Sequence, residues 1–142
     1  MGDQIQRKID QIKAELHVDF TALALSTISD QTNIRVIRWQ YVSGNINQHY
    51  RRIRLQVGKG IGGIVWRTGR SYQATHLQSQ PEQLIELPIT RMEKLETVVA
   101  YPVMDIGEVK GVLLVGYREV KEVSNEFITA AQDKANELKV YL

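Results

Sequence analysis

Gly58, Gly60 and Gly63 in the stretch "VGKGIGGIVW" have the spacing G-x-G-x-x-G, which in other chains turns the backbone tightly around a dinucleotide. That chemistry also needs a buried strand before the turn, a full helix after it and an acid about 20 residues further on to hold the ribose. Here the preceding "RRIRLQV" sets Ile53, Leu55 and Val57 against Arg52, Arg54 and Gln56, so one face is wet. The helical run "IGGIVWRTG" is short and stops at Gly69, and Glu82 follows Pro81 in a polar turn. A phosphate loop is excluded because Ile64 and Val65 stand where lysine and Ser/Thr are required. What remains is a helix start behind flexible glycines. Its N–H groups at Ile61 and Gly62 lack intrahelical partners, and the positive end of the helix dipole favours a small anion. The same glycines also serve a purely structural end, a turn with positive φ and a helix lying close on its neighbour. The two uses are compatible.

A second helix start falls in "ELPITRMEKLE", where Pro88 suits the first helical position and leaves the N–H groups of Ile89 and Thr90 as expected free donors. Glu93 and Glu96 further along are expected to repel an anion, and a plain surface helix is the simpler reading of this stretch. Trp39, on a strand face with Ile37 and Tyr41, suits core packing and equally the wall of a small cavity. Trp66 reads as packing for the short helix. The chain has no cysteine, which excludes a thiol nucleophile, a zinc-thiolate site and a disulfide framework, and fits a cytoplasmic location. His17, His49 and His76 are isolated from one another, so no metal site and no cofactor is expected.

These residues need elements to hold them. The 142 residues, 43% hydrophobic and 24% charged, suit one globular domain over 1–142 with no apolar run long enough to span a bilayer. Ile5, Ile9, Ile12 and Leu16 form the stripe of an amphipathic first helix; Phe127, Ala131, Leu138 and Leu142 do so for the last, with Ser124 as N-cap. "VDFTALALSTI" reads as a central strand, "TNIRVIRWQYVSG" as a second and "RRIRLQV" as a third. "TVVAYPVMDIGEVKGVLLVGYRE" reads as a hairpin with Gly107 in its turn, and the region between as short helices and turns. Consecutive strands with helices at both ends predict an α+β fold around an antiparallel sheet.

"LQVGKGIGGIVWRTGRSY" followed by "LETVVAYPVMDIGEVKGVLLVGY" resembles a GAF domain over nearly the whole chain. Within that family, "IRWQYVSGN" leading to "YRRIRLQVGKGIGG" is similar to the stand-alone nitrate receptors of the NreA type. The resemblance implies a central antiparallel sheet with the terminal helices on one face and a ligand pocket on the other. It implies nitrate as ligand, beside Trp39 and held by backbone N–H groups at two helix starts, the first at Ile61 and Gly62 and the second on the stretch Leu87, Pro88 and Ile89. Leu87 stands where tyrosine is expected and Gly62 where a small alanine is expected. As partner it implies a cytoplasmic sensor histidine kinase of a nitrate- and oxygen-responsive two-component system, with a homodimer as a further option.

Rival readings are an enzyme, a nucleic-acid binder, and a GAF regulatory module for another small ligand. The family's free methionine sulfoxide reductases use cysteines that this chain lacks, and no histidine adjoins a nucleophile in sequence, so the chain is expected not to be an enzyme. The family's cyclic-nucleotide pattern is absent, and bilin attachment through a cysteine is impossible. Arg35, Arg38, His49, Arg51, Arg52 and Arg54 form a basic run, but a net charge of +2 does not mark a nucleic-acid binder. A solvated strand face, or a docking surface for an acidic face of a kinase, accounts for that run. With no output domain expected beyond the last helix, the signal is expected to leave through a partner.

Overall fold

Ile5, Ile9, Ile12 and Leu16 are all buried along one side of α1 (Gly2–Leu16), as their spacing requires. The computed structural model describes residues 2–28 and 32–142. After α1 come β1 (Phe20–Ile28) and β2 (Arg35–Ser43), a 3-10 turn at His49–Arg52, then α2 (Gly60–Thr68) and β3 (Tyr72–Ala74). Next are α3 (Pro81–Glu86), α4 (Pro88–Met92), β4 (Thr97–Asp105), β5 (Glu108–Tyr117) and α5 (Asn125–Leu138). The strands form one antiparallel five-stranded sheet in the order β2-β1-β5-β4-β3, so the α+β expectation holds. Ile106 and Gly107, both at positive φ, turn β4 into β5, and Ser124 caps α5 by accepting the Phe127 N–H at 3.1 Å.

The sheet separates two cores. On one face α1 and α5 cover Leu23, Val99, Val103, Leu113 and Val115. On the other, Phe20, Ala22, Ile37, Trp39, Ala100 and Leu114 pack with Ile61 and Val65 of α2 and Ile89 of α4. The terminal helices therefore share one face and the middle segment takes the opposite one.

Two strand assignments change. Ile53 and Leu55 are buried as their alternation requires, but "RRIRLQV" enters no extended ladder; Leu55 makes an isolated bridge with Ile37. The backbone around it is committed elsewhere: the Ile53 N–H bonds back to the Tyr50 carbonyl, and the Gln56 carbonyl accepts the Lys59 N–H at 3.0 Å within the glycine turn. The fifth strand is instead the three-residue β3, too short to show an alternation in sequence. Second, Tyr41 does not share a face with Trp39. The register shifts so that Leu23 faces Tyr41 while Ala24 faces Trp39, leaving Gln40 as the extra residue of a β-bulge. Beyond the bulge the faces exchange, so Val42 joins the Trp39 core and Tyr41 packs under α1.

Charged ties hold the layers at two places. Lys8 pairs with Glu137 at 2.9 Å, and Lys134 bridges Glu15 and Glu137, joining α1 to α5 at the surface. Deeper, the fully buried Glu93 carboxylate meets Arg118 at 2.7 Å and accepts the Ile46 N–H at 3.0 Å. The same guanidinium donates to the carbonyls of Glu93 and Gly44, each at 2.9 Å. One arginine at the end of β5 thereby fixes the end of α4 and the loop after β2.

Hydrogen bonds from Lys134 to Glu15 and from Lys8 to Glu137 hold both carboxyls below the usual glutamate range, and Glu15 raises Lys134. Lowered carboxylates contribute stability above their unfolded pKa and lose it as pH falls through the folded values. Thermal melts are expected to show an acid-side decline that Lys134→Gln shallows by no more than a few degrees, and that salt also weakens. Arg118→Met strands a buried carboxylate and is expected to cost about 3–5 kcal/mol in denaturant unfolding. Adding Glu93→Gln to that variant should recover part of the loss.

Candidate functional site

Ile37 and Leu55 exchange both backbone hydrogen bonds, at 2.8 and 2.9 Å, and this bridge delivers the chain to the glycine turn. There the Gly58 N–H donates to the Gly63 carbonyl at 2.7 Å. Gly58 has φ +90°, and a Cβ on Gly63 would lie 2.2 Å from the Gln56 carbonyl oxygen, so neither position admits an ordinary side chain without rearrangement. The closed turn launches α2. Its N-cap, Lys59, offers no side-chain cap, and no acid occupies the first turn. Gly63 N–H reaches the Lys59 carbonyl at 3.1 Å, whereas the N–H groups of Ile61 and Gly62 take part in no hydrogen bond of the described residues. They are the orphan donors that a helix start leaves behind.

Trp39 lies against this helix start. A Cβ on Gly62 would sit 3.5 Å from Trp39 Cζ2, the ring atom next to the carbon that bears Nε1. Trp39 is only 3% exposed, and its Nε1 is buried without a hydrogen-bond partner. Most buried polar groups are bonded, and an unpaired one costs on the order of 1–3 kcal/mol. An indole N–H orphaned beside orphan backbone N–H groups is the feature of the molecule that asks for an acceptor.

The second helix start is α4. Leu87 and Ile89 are buried in the same apolar cluster as Trp39 and Ile61, while Pro88, partly exposed between them, has no N–H to give. The Ile89 N–H makes no hydrogen bond among the described residues. Thr90 departs from expectation. Its N–H donates to the Leu87 carbonyl at 3.1 Å and its Oγ1 to the same oxygen at 2.8 Å, so this short helix offers one free donor, not two. Nor do the acids act as simple repellents: Glu93 is neutralised by Arg118, and Glu96 accepts the Gln78 N–H at 3.0 Å. Arg118 and Gln78 carried no sequence signal, because their partners are distant in the chain.

Four N–H groups, from Trp39, Ile61, Gly62 and Ile89, thus stand on apolar surroundings with no countercharge among them. Unbonded neutral donors at a helix start suit an acceptor-rich group chemically. A surface groove of about 370 Å³ has Trp39 in its lining, with Arg38, Gln40, Tyr50 and Arg51. A wider groove of about 820 Å³ lies at the far end of α2, where Trp66 is partly packed on the core with the Arg35 guanidinium 5.5 Å from its ring.

No family model matches the chain, and no curated protein matches it. Solved structures do. A hypothetical protein from S. aureus is 34% identical with a TM-score of 0.76, over 84% of this chain and 99% of that one. A Staphylococcus aureus NreA protein mutated in its nitrate binding site is 32% identical with a TM-score of 0.79, over 87% and 92%. The GAF domain of an Acinetobacter phosphoenolpyruvate-protein phosphotransferase shares the fold at 16% identity and a TM-score of 0.72, over 97% and 79%. A free methionine-R-sulfoxide reductase from Neisseria meningitidis does so at 13% and 0.73, over 97% and 75%. That reductase overturns the expectation that the chain is not an enzyme, which rested on missing cysteines and on no histidine adjoining a nucleophile in sequence. The absence of cysteines excludes thiol chemistry alone, and the same frame carries catalysis elsewhere. Among the described residues, no helix is long and apolar enough to cross a membrane. With an antiparallel sheet between terminal helices and a glycine-turn helix, and with about a third of its residues shared with NreA over most of both chains, the chain belongs to the GAF family.

Proposed function

We propose that the chain is a nitrate sensor, binding nitrate among Trp39, Ile61, Gly62, Leu87, Pro88 and Ile89. The observation that carries this reading is the buried, partnerless Trp39 Nε1 beside the uncapped start of α2. Nitrate is planar, singly charged and weakly hydrated, so a few convergent N–H donors hold it without a buried arginine, whose desolvation is costly. Each charge-assisted hydrogen bond contributes on the order of 1.5–3 kcal/mol, enough together for roughly micromolar to millimolar affinity. Likeness to an NreA protein whose nitrate binding site was mutated supports the same ligand.

In this reading one GAF unit, free in the cytoplasm or paired as a homodimer, passes its state to a sensor histidine kinase of a nitrate- and oxygen-responsive two-component system. Ligand tightens the two helix starts against the sheet, and the partner responds to the state so favoured. Phosphorylation of such a kinase, assayed with the protein and with or without nitrate, tests the partner; rates that nitrate leaves unchanged refute it.

Calorimetric titration with nitrate should give saturable binding at or below millimolar concentration, with chloride and sulfate far weaker. Trp39→Phe, which keeps an aromatic ring but removes the N–H, should weaken nitrate about 10- to 100-fold. No nitrate binding by the native chain, or unchanged affinity in a folded Trp39→Phe, sinks the reading. A Cβ on Gly62 would already stand 3.2 Å from Leu55 Cδ1 and 3.4 Å from Ile37 Cγ2, so the larger Gly62→Val should lose nitrate binding by displacing α2 from Trp39.

A further inference from the structure

β2 is an edge strand, bridged on its outer side at Ile37 and open beyond it. Along that open edge runs the 370 Å³ groove, lined by Arg38, Trp39, Gln40, Tyr50 and Arg51. Trp39 therefore belongs both to this surface opening and to the buried donor set. The bulge shapes the groove: Gln40, which has no partner on β1, lines it.

Two arginines frame this opening. Arg38 donates to the Arg51 carbonyl at 3.4 Å, pinning β2 to the 3-10 turn, and the Arg51 guanidinium lies 5.9 Å from the Tyr50 ring centroid. Neither forms an ion pair among the described residues, and the same holds for the exposed Arg52 and Arg54 nearby. The charge of the chain is segregated in the same sense. Residues 31–81 contain eight of the eighteen Lys and Arg and none of the sixteen Asp and Glu. A net charge of +2 thus conceals a strongly cationic stretch that holds β2, the 3-10 turn, α2 and β3, against an acidic remainder. Clefts lined by one sign of charge concentrate counter-ions and accelerate their capture.

We propose that Arg38 and Arg51 form a cationic mouth that captures small anions at the edge of β2 and delivers them to the Trp39 site. The proposal rests on the anion-binding reading above and adds the route by which the ligand arrives. The guanidiniums act by field, before the ligand reaches the N–H donors, so their contribution belongs to association and is screened by salt.

Stopped-flow mixing with sodium nitrate, followed by indole fluorescence, separates this from other roles, with ionic strength set by sodium gluconate. Association with the native chain should slow as ionic strength rises. Arg38→Gln with Arg51→Gln should slow association about threefold to tenfold at low ionic strength and leave dissociation nearly unchanged. The difference should vanish at high ionic strength. Lysine at both positions should restore the rate, and Lys139→Gln on the opposite side, which removes one charge elsewhere, should not alter it. Nitrate binding with unaltered association in the double glutamine variant overturns the mouth and leaves the anion-binding reading standing. A loss equal at all ionic strengths and not restored by lysine also overturns it, because it marks a packing role. Absence of nitrate binding by the native chain overturns both.

Discussion

The Gly58 N–H and the Gly63 carbonyl meet at 2.7 Å, and the geometry of the candidate site follows from that closure. The contact folds the turn tightly enough that Gly63 rests on the Gln56 carbonyl, where no Cβ fits. With the turn shut, α2 begins against Leu55, Ile37 and Trp39, and the N–H groups of Ile61 and Gly62 are left unbonded. Glycine is required because the backbone itself is the packing surface. The backbone that closes the turn is also withdrawn from the sheet, which is why the alternating segment before it stops at a single bridge.

The sheet divides the molecule into two layers of different character. Under α1 and α5 the packing is apolar, with ion pairs confined to the rim. On the other face the short helices are held by polar ties, Arg118 with Glu93 and Gln78 with the Thr90 and Leu95 carbonyls. Short helices have little intrinsic stability, so their positions depend on such contacts. A face assembled this way can hold a donor such as the Ile89 N–H in place without a long helix behind it.

Charge follows the same division. The acid-free stretch 31–81 supplies β2 with Trp39, the 3-10 turn, α2 and β3, whereas the acids lie before and after it in the chain. Among the donors themselves there is no charged side chain. The arrangement sets cations at the rim and neutral N–H groups within, which avoids the desolvation cost of a buried arginine.

Much of this was legible from local pattern. Helix periodicity marked Ile5, Ile9, Ile12 and Leu16, turn chemistry marked Gly107, and capping marked Ser124, because each depends on neighbours within a few residues. The glycine spacing likewise marked a helix start with spare donors at Ile61 and Gly62. The three-residue β3 and the bulge at Gln40 left no such trace, and the bulge decides that Val42, not Tyr41, shares a face with Trp39. Nor could the spacing around Pro88 reveal that Thr90 would turn both its donors onto Leu87. By itself the sequence determined the periodic elements, the turns and the lack of thiol chemistry. Only tertiary structure decided that the Trp39 indole would be buried against Gly62 with its N–H unpaired, and that Glu93 would be answered by Arg118. Such contacts join residues far apart in the chain, and their energies depend on burial and distance, which no local spacing encodes.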